Sequence, residues 1–187
     1  ERALALDPTA PERRMEIEML LVDGLVARGD IGRARQLGER LAAAAKEAGR
    51  HDLRGRALWA MAMDVWVGVG HAEGREPAVA LLNEAREELR QAGDDEHLAD
   101  VLFDLGWEGW WLGDLESARR TWEASAELAR RVGDRAREIR ALLRIVGVYV
   151  NTGRLDRADA TQARAMELAE GTSRLTQAEV WRSEGLR

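Results

Sequence analysis

The sequence contains no cysteine and only three prolines, Pro8, Pro11 and Pro77. A chain without cysteine forms no disulfide and no thiolate metal site, which fits a reducing cytoplasm. Few prolines leave long stretches free to stay helical. The longest apolar runs, such as residues 57–63, are far shorter than the ~20 residues that a membrane-spanning helix needs. No signal-peptide pattern opens the chain. The sequence therefore predicts a cytoplasmic protein that does not enter a membrane.

Lysine is almost absent as well, since Lys46 is the single lysine among 28 basic residues. The arginines alternate with the 34 acidic residues, and the formal net charge is −6. Affinity for a nucleic acid depends on clustered, uncompensated cations, so no nucleic-acid partner is expected. The preference for arginine suggests a GC-rich bacterial genome.

Alanine, leucine, glutamate and arginine dominate the 187 residues, while β-branched residues are sparse. Straight side chains lose little rotamer freedom in a helix, so this composition predicts an all-α fold. The length permits one or two globular domains, or one elongated array with a core along its length.

A short phrase recurs along the chain: glycine, a polar residue, leucine or isoleucine, two further residues, and alanine. It stands at residues 29–34, 113–118 and 153–158, and Ala78 takes the alanine's place after a longer connection. The repeat is therefore about 40 residues long, with one insertion. A second set of glycines, at Gly49, Gly93, Gly133 and Gly171, marks the other corner of each repeat, and Asp7-Pro8 takes that place at the start. Glycine is favoured at such corners because helices often end on a left-handed residue.

Each repeat is interpreted as a helix A, a tight turn and a helix B. The predicted A helices lie near residues 14–27, 54–69, 96–112, 136–151 and 176–186, and the B helices near 31–48, 76–91, 115–131 and 155–170. The corresponding units are residues 10–49, 53–93, 96–133, 136–171 and a partial fifth at 173–187, within a single solenoid. Apolar residues at helical spacing support the assignment, and the small residues Ala34, Gly106, Ala118 and Ala158 would let neighbouring helices approach closely. Both ends look like cuts through a longer array, so an excised domain is expected.

The third unit combines Leu105-Gly106, Gly113-Asp114, Ala118, Trp122 and Ser125, and it resembles the tetratricopeptide (TPR) pattern. The fourth unit departs from the pattern at Gly147 and Gln162, and the first at Val22 and Gly38. The length of the unit, with phrases such as residues 127–134, resembles the longer variant found in kinesin light chains, in the peptide-sensing phosphatase regulators of bacilli and in large ATP-dependent bacterial transcription activators. The resemblance implies a right-handed superhelical α-α solenoid of stacked antiparallel helix pairs, whose A helices line a concave face.

Tryptophan is abundant, with seven residues against one tyrosine and one phenylalanine. On the resemblance, the concave face carries large side chains at Trp59, Met63, Trp66, Phe103, Trp107, Trp110, Trp111 and Trp181. Smaller residues follow in the fourth unit, at Leu143, Gly147 and Val150. Tryptophan is enriched at binding hot spots, so an aromatic groove that holds a partner is predicted. The alternative is that the rings fill space between helices or pack on a neighbouring domain.

Several polar residues are further site candidates. Arg56, Asp100, Arg140 and Asn151 flank the aromatic row and could fix a peptide's backbone or carboxylate, or else be solvated charges. Residues 94–97 suit a helix N-terminus better than a metal site, and residues 68–74 suit a connection better than a phosphate-binding loop. The three histidines sit at corners without a nucleophile or a paired carboxylate at a useful spacing. We therefore expect no enzyme activity, no cofactor and no metal.

The leading hypothesis is a scaffold that binds a protein or peptide through the aromatic concave groove, as part of a larger bacterial regulatory or signalling protein. One alternative is an effector-sensing domain of an ATP-dependent transcription regulator, which encloses an apolar small molecule. Another is a structural self-association segment that forms a homodimer through the aromatic face.

Overall fold

The computed structural model describes residues 11–68 and 75–170, with side chains at 12–63 and 75–170. These residues form eight α-helices and no strand: α1 (Pro11–Ala27), α2 (Ile31–Glu47), α3 (His51–Gly68), α4 (Arg75–Ala92), α5 (Asp95–Trp111), α6 (Leu115–Val132), α7 (Arg135–Asn151) and α8 (Leu155–Ala169). The predicted all-α class of antiparallel helix pairs is confirmed, and the ends of these helices lie close to the predicted ones. The predicted helix at 176–186 lies outside the described residues.

Six glycines at the corners have positive φ angles, between 67° and 77°. A Cβ is disfavoured in this left-handed region, which explains why glycine recurs there. At Gly133, after α6, the glycine amide donates to the carbonyl oxygen of Arg130. The prediction of left-handed glycines at these corners is confirmed, while Gly171 lies outside the described residues.

The chain divides into two compact units, residues 1–94 and 95–187. In the first unit, each of α1 to α3 packs on the next helix along the chain. Its core contains the fully buried side chains of Met19, Leu41, Leu53 and Leu82. Gly38 lets α2 approach α3, because a Cβ at this position would lie 3.2 Å from Cγ of Met61.

The second unit packs α5 to α8 in the same succession. Trp122 of α6 is completely buried, and its indole Nε1–H donates to the carbonyl oxygen of Phe103 over 2.9 Å. The hydroxyl of Ser125 donates to the carbonyl oxygen of Ala99 over 2.7 Å. Gly106 makes room for the indole, since a Cβ there would lie 2.2 Å from Nε1 of Trp122. The contacts between α5 and α6 are thus made by residues at positions that resemble the TPR pattern.

Candidate functional site

Three tryptophans lie together at the C-terminal end of α5, and two of them, Trp107 and Trp110, pack against the core of the second unit. Trp107 stacks on Trp111, with ring centroids 6.1 Å apart and planes 24° apart. It also meets Trp122 and Trp110 edge to face, at 5.4 Å and 6.3 Å. Exposure rises outward from 0% at Trp122 to 52% at Trp111. The exposed indole of Trp111 therefore rests on Trp107, which in turn contacts the buried indole of Trp122.

Helix α7 runs beside α5 in a constant register. Asp100 accepts a hydrogen bond from Nε of Arg137, 37 residues later, over 3.0 Å. At the same offset, the guanidinium of Arg140 lies 4.1 Å from the ring centroid of Phe103. That of Arg144 lies 4.9 Å from the ring centroid of Trp107.

Arg137, Arg140 and Arg144 form what we call the arginine ladder. A cation over an aromatic face is attracted by the ring quadrupole. Arg140 and Arg144 therefore each cover one face of a ring, of Phe103 and Trp107 respectively, while Arg137 pairs with Asp100.

Gly147 of α7 lies opposite Trp110 of α5, at the same sequence offset as the pairs described above. A Cβ at this position would lie 3.8 Å from Cη2 of Trp110, whose ring packs against the core. Gly147 was expected to leave a depression beside the aromatics. In the structure, Trp110 lies against this position.

The candidate polar residues have different environments. Asp100 is 5% exposed, and its two carboxylate oxygens accept from Arg137 and Arg140. The solvated-charge interpretation is wrong for Asp100, because the paired guanidinium groups make its burial tolerable. Arg56 of the first unit pairs with Asp23 over 2.5 Å. Asn151 is exposed, and its side-chain amide donates to the carbonyl oxygen of Gly147 over 2.8 Å.

The predicted aromatic row is distributed over both units. In the second unit Trp107, Trp110 and Trp111 come together, whereas Phe103 is only 7% exposed and belongs to the core. In the first unit Trp59 and Met63 are partly buried on α3. The side chain of Trp66 and all of Trp181 lie outside the described residues. A row that continues from α3 to α5 stays a prediction.

Sequence reasoning missed three residues beside these tryptophans, namely Arg137, Arg144 and Leu112. Leu112 is 57% exposed next to Trp111. The three arginines of the ladder recur at i, i+3 and i+7, which is the spacing that places side chains on one helix face. A search of the sequence for charged residues at helical spacing, and not only for apolar ones, would therefore have identified the arginine ladder.

Within the part of the chain that the structure describes, no group of three or more His, Asp or Glu side chains could hold a metal ion. None of the described helices is long and apolar enough to cross a membrane. At the start of α5, Asp95 pairs with Arg131 over 3.0 Å and Glu96 with Arg137 over 3.0 Å. These acidic groups are thus engaged in ion pairs at a helix N-terminus.

Comparison with known proteins shows the fold. No protein-family model and no curated protein matches the chain. Among solved structures, BtubC (BKLC) from P. vanneervenii is similar with a TM-score of 0.69 and 20% identity, over 92% of this chain and 70% of that one. A putative kinesin light chain from Podosopora anserina, with nearly identical TPR-like repeats, is similar with a TM-score of 0.63 and 14% identity, over 95% of this chain and 90% of that one. The fold is thus that of the TPR-like helical solenoids, as the resemblance implied.

Proposed function

We propose that this chain is a protein-interaction scaffold that binds an extended acidic peptide segment of a partner at the C-terminal end of α5. The TPR-like fold supports a scaffold role in general, because such arrays present extended surfaces to partners. The observation that carries the specific site is the half-exposed Trp111, stacked on Trp107, which in turn lies under Arg144. We call Trp107, Trp110, Trp111 and Leu112 the aromatic end.

The aromatic end offers an apolar contact that is already rigid. Trp111 is held by its stacking on Trp107, so little rotamer freedom remains to be lost when a partner side chain packs on it. Leu112 extends the exposed apolar area. A central indole with an apolar neighbour is the kind of anchor on which binding energy concentrates.

The positive charge of Arg144 determines which class of peptide should be preferred. Arg144 is exposed, and its guanidinium lies 4.9 Å from the ring centroid of Trp107. A guanidinium group binds a carboxylate well because its N–H donors match the spacing of the two carboxylate oxygens. A partner segment that places an apolar side chain on Trp111 would bring a neighbouring Asp or Glu toward Arg144. We therefore expect acidic segments to be preferred over basic ones.

The test is a selection of phage-displayed random peptides on the whole chain, followed by affinity measurements with the synthetic peptides obtained. We expect the selected peptides to combine Asp or Glu with large apolar residues. Trp111→Ala and Arg144→Glu should each weaken them by about 2 kcal/mol. Val132→Ala and Arg120→Glu, which change exposed residues of α6, serve as matched controls with unchanged affinity. Undiminished binding by both folded site variants would refute the proposed site.

The wider context belongs to the same proposal: a cytoplasmic scaffold within a larger bacterial regulatory or signalling protein. The small-molecule alternative requires closure of the groove, either by the connection at residues 71–75, of which 71–74 lie outside the described residues, or by a B helix. The homodimer alternative predicts that dilution uncovers Trp111. Sedimentation velocity of the wild type and of Trp111→Ala over a concentration series tests this alternative. Only self-association through the aromatic end gives a dimer that the substitution dissociates.

A further inference from the structure

Gly147 lies in the interior of α7, at a repeat position where α3 and α5 carry large side chains. The equivalent residues are Met63 in α3 and Trp107 in α5. Glycine lowers the stability of a helix interior relative to alanine, because it loses more backbone freedom on folding. A glycine at this position is therefore explained either by packing or by binding.

Packing explains other helix glycines but not this one. A Cβ at Gly109 would lie 2.7 Å from the backbone nitrogen of Ala118, and the contact at Gly106 is closer still. At Gly147 the nearest described atom beyond its chain neighbours would be Cη2 of Trp110, at 3.8 Å, which is an ordinary van der Waals distance. A methyl group would therefore fit at Gly147 without displacing a neighbour.

Three side chains bound the surface that Gly147 leaves open. Trp110 of α5 lies on one side. Arg144 and Val150 stand one turn before and one turn after Gly147 on the same face of α7, and Val150 is 39% exposed. We call this surface the glycine gap. Both helices that form it are described, and Trp110 makes it continuous with the aromatic end.

An aromatic ring is the side chain that suits the glycine gap. The absence of a Cβ lets a flat group approach the helix backbone closely. The indole of Trp110 can pack with a second ring, either edge to face or offset, and Val150 adds apolar contact. The carbonyl oxygen of Gly147 accepts from the side-chain amide of Asn151 over 2.8 Å, so an apolar group can cover it without leaving it unpaired.

We infer that the glycine gap receives an aromatic side chain of the bound peptide, while a second apolar side chain of the same peptide packs on Trp111. This inference rests on the proposed function and deepens it, since it names the type of residue that the aromatic end selects. Gly147 is then the specificity-determining residue, because any side chain there takes up the space of the peptide's ring.

The test is a set of double-mutant cycles with the synthetic peptides selected on the wild-type chain. Each aromatic residue of a peptide is replaced by alanine, and isothermal titration calorimetry gives the affinities for the wild type and for Gly147→Leu. One aromatic residue should contribute about ten-fold to the affinity for the wild type and much less to that for Gly147→Leu. Gly147→Ala should weaken the unmodified peptide by a smaller factor. The matched control is Gly24→Leu on α1, where a Cβ would meet no described atom within 4 Å, and it should leave the affinity unchanged.

Urea denaturation of the variants at position 147 shows whether the gap is open, and Gly147→Ala should be no less stable than the wild type. A loss of stability in this variant would show that another segment of the chain already fills the gap, and would overturn the inference. If Gly147→Leu does not fold, the same cycles with Gly147→Ala decide.

Two binding results would also overturn the inference: selected peptides without aromatic residues, or aromatic substitutions that have equal effects on the wild type and on the variants at position 147. If Trp111→Ala still weakens binding in that case, the proposed peptide site stands and the glycine gap alone is refuted. If folded Trp111→Ala, Arg144→Glu and Gly147→Leu all bind as the wild type does, the proposed function and this inference both fail.

Discussion

At the scale of single residues, Gly106 should tolerate no larger residue at the α5–α6 contact without a loss of stability. A Cβ there would lie 2.2 Å from Nε1 of the fully buried Trp122, whose N–H bonds the Phe103 carbonyl. Gly106→Ala should therefore lower the free energy of unfolding by about 3 kcal/mol, through overpacking and the displaced hydrogen bond. Gly147→Ala is the matched control in α7, where the nearest atom would be 3.8 Å away. It should stabilise the chain by up to about 1 kcal/mol, because alanine favours a helix. Urea denaturation gives both values, and equal effects of the two substitutions would contradict the assigned packing.

Individual site residues were the least predictable part of the molecule. The number of tryptophans drew attention to Trp107 and Trp111, but not to their environment. Phe103 and Asp100 were expected at a surface, and the structure buries both under arginines of another helix. Helical spacing alone does not reveal such a pairing, because it joins residues 37 positions apart and depends on how α5 and α7 pack.

At the scale of helices, the N-caps give the sharpest prediction. Asp114 accepts a hydrogen bond from the amide of Ser117 over 3.0 Å at the start of α6. Asp30 occupies the same place before α2 but makes no side-chain cap hydrogen bond. Asp114→Ala should cost about 1 kcal/mol of stability, since the amide loses its partner, and Asp30→Ala should cost clearly less. Thermal unfolding of the two variants under identical conditions compares them directly. A loss at Asp30 as large as that at Asp114 would show that the cap hydrogen bond is not the cause.

Helices were predictable because their signals are local: a glycine that adopts a left-handed conformation, an aspartate before the first turn, and an apolar stripe. The positions repeat, yet their environments do not. Trp59, Phe103 and Leu143 are equivalent residues of successive A helices, yet Phe103 is buried under Arg140, whereas Trp59 and Leu143 are partly exposed. The repeat therefore predicts where a side chain stands along its helix, whereas its neighbours depend on the residue that the next unit presents.

For the whole molecule, stability should fall on acidification in both units. In the first unit, two hydrogen bonds from Arg50 hold the pKa of Asp52 below its ordinary value. In the second, burial would raise the pKa of Asp134, but hydrogen bonds from the backbone and side chain of Arg137 outweigh it and leave this pKa lowered. A carboxyl group with a lowered folded pKa stabilises the native state above its unfolded pKa, and this stability is lost as the pH falls through the folded value.

The melting temperature should therefore change little between about pH 7 and pH 5, and fall below about pH 4, where unfolded aspartates take up protons. The double variant Asp52→Asn, Asp134→Asn should be less stable than the wild type at neutral pH, by up to about 1 kcal/mol per site because both pairs are partly exposed. It should also lose less stability on acidification, since these two carboxylates are gone. Asp156→Asn, an exposed change in the first turn of α8, is the control and should follow the wild-type curve. Scanning calorimetry from pH 7 to pH 3 measures all three, and an acid loss as large in the double variant as in the wild type would show that other carboxylates govern the acid stability of the repeats.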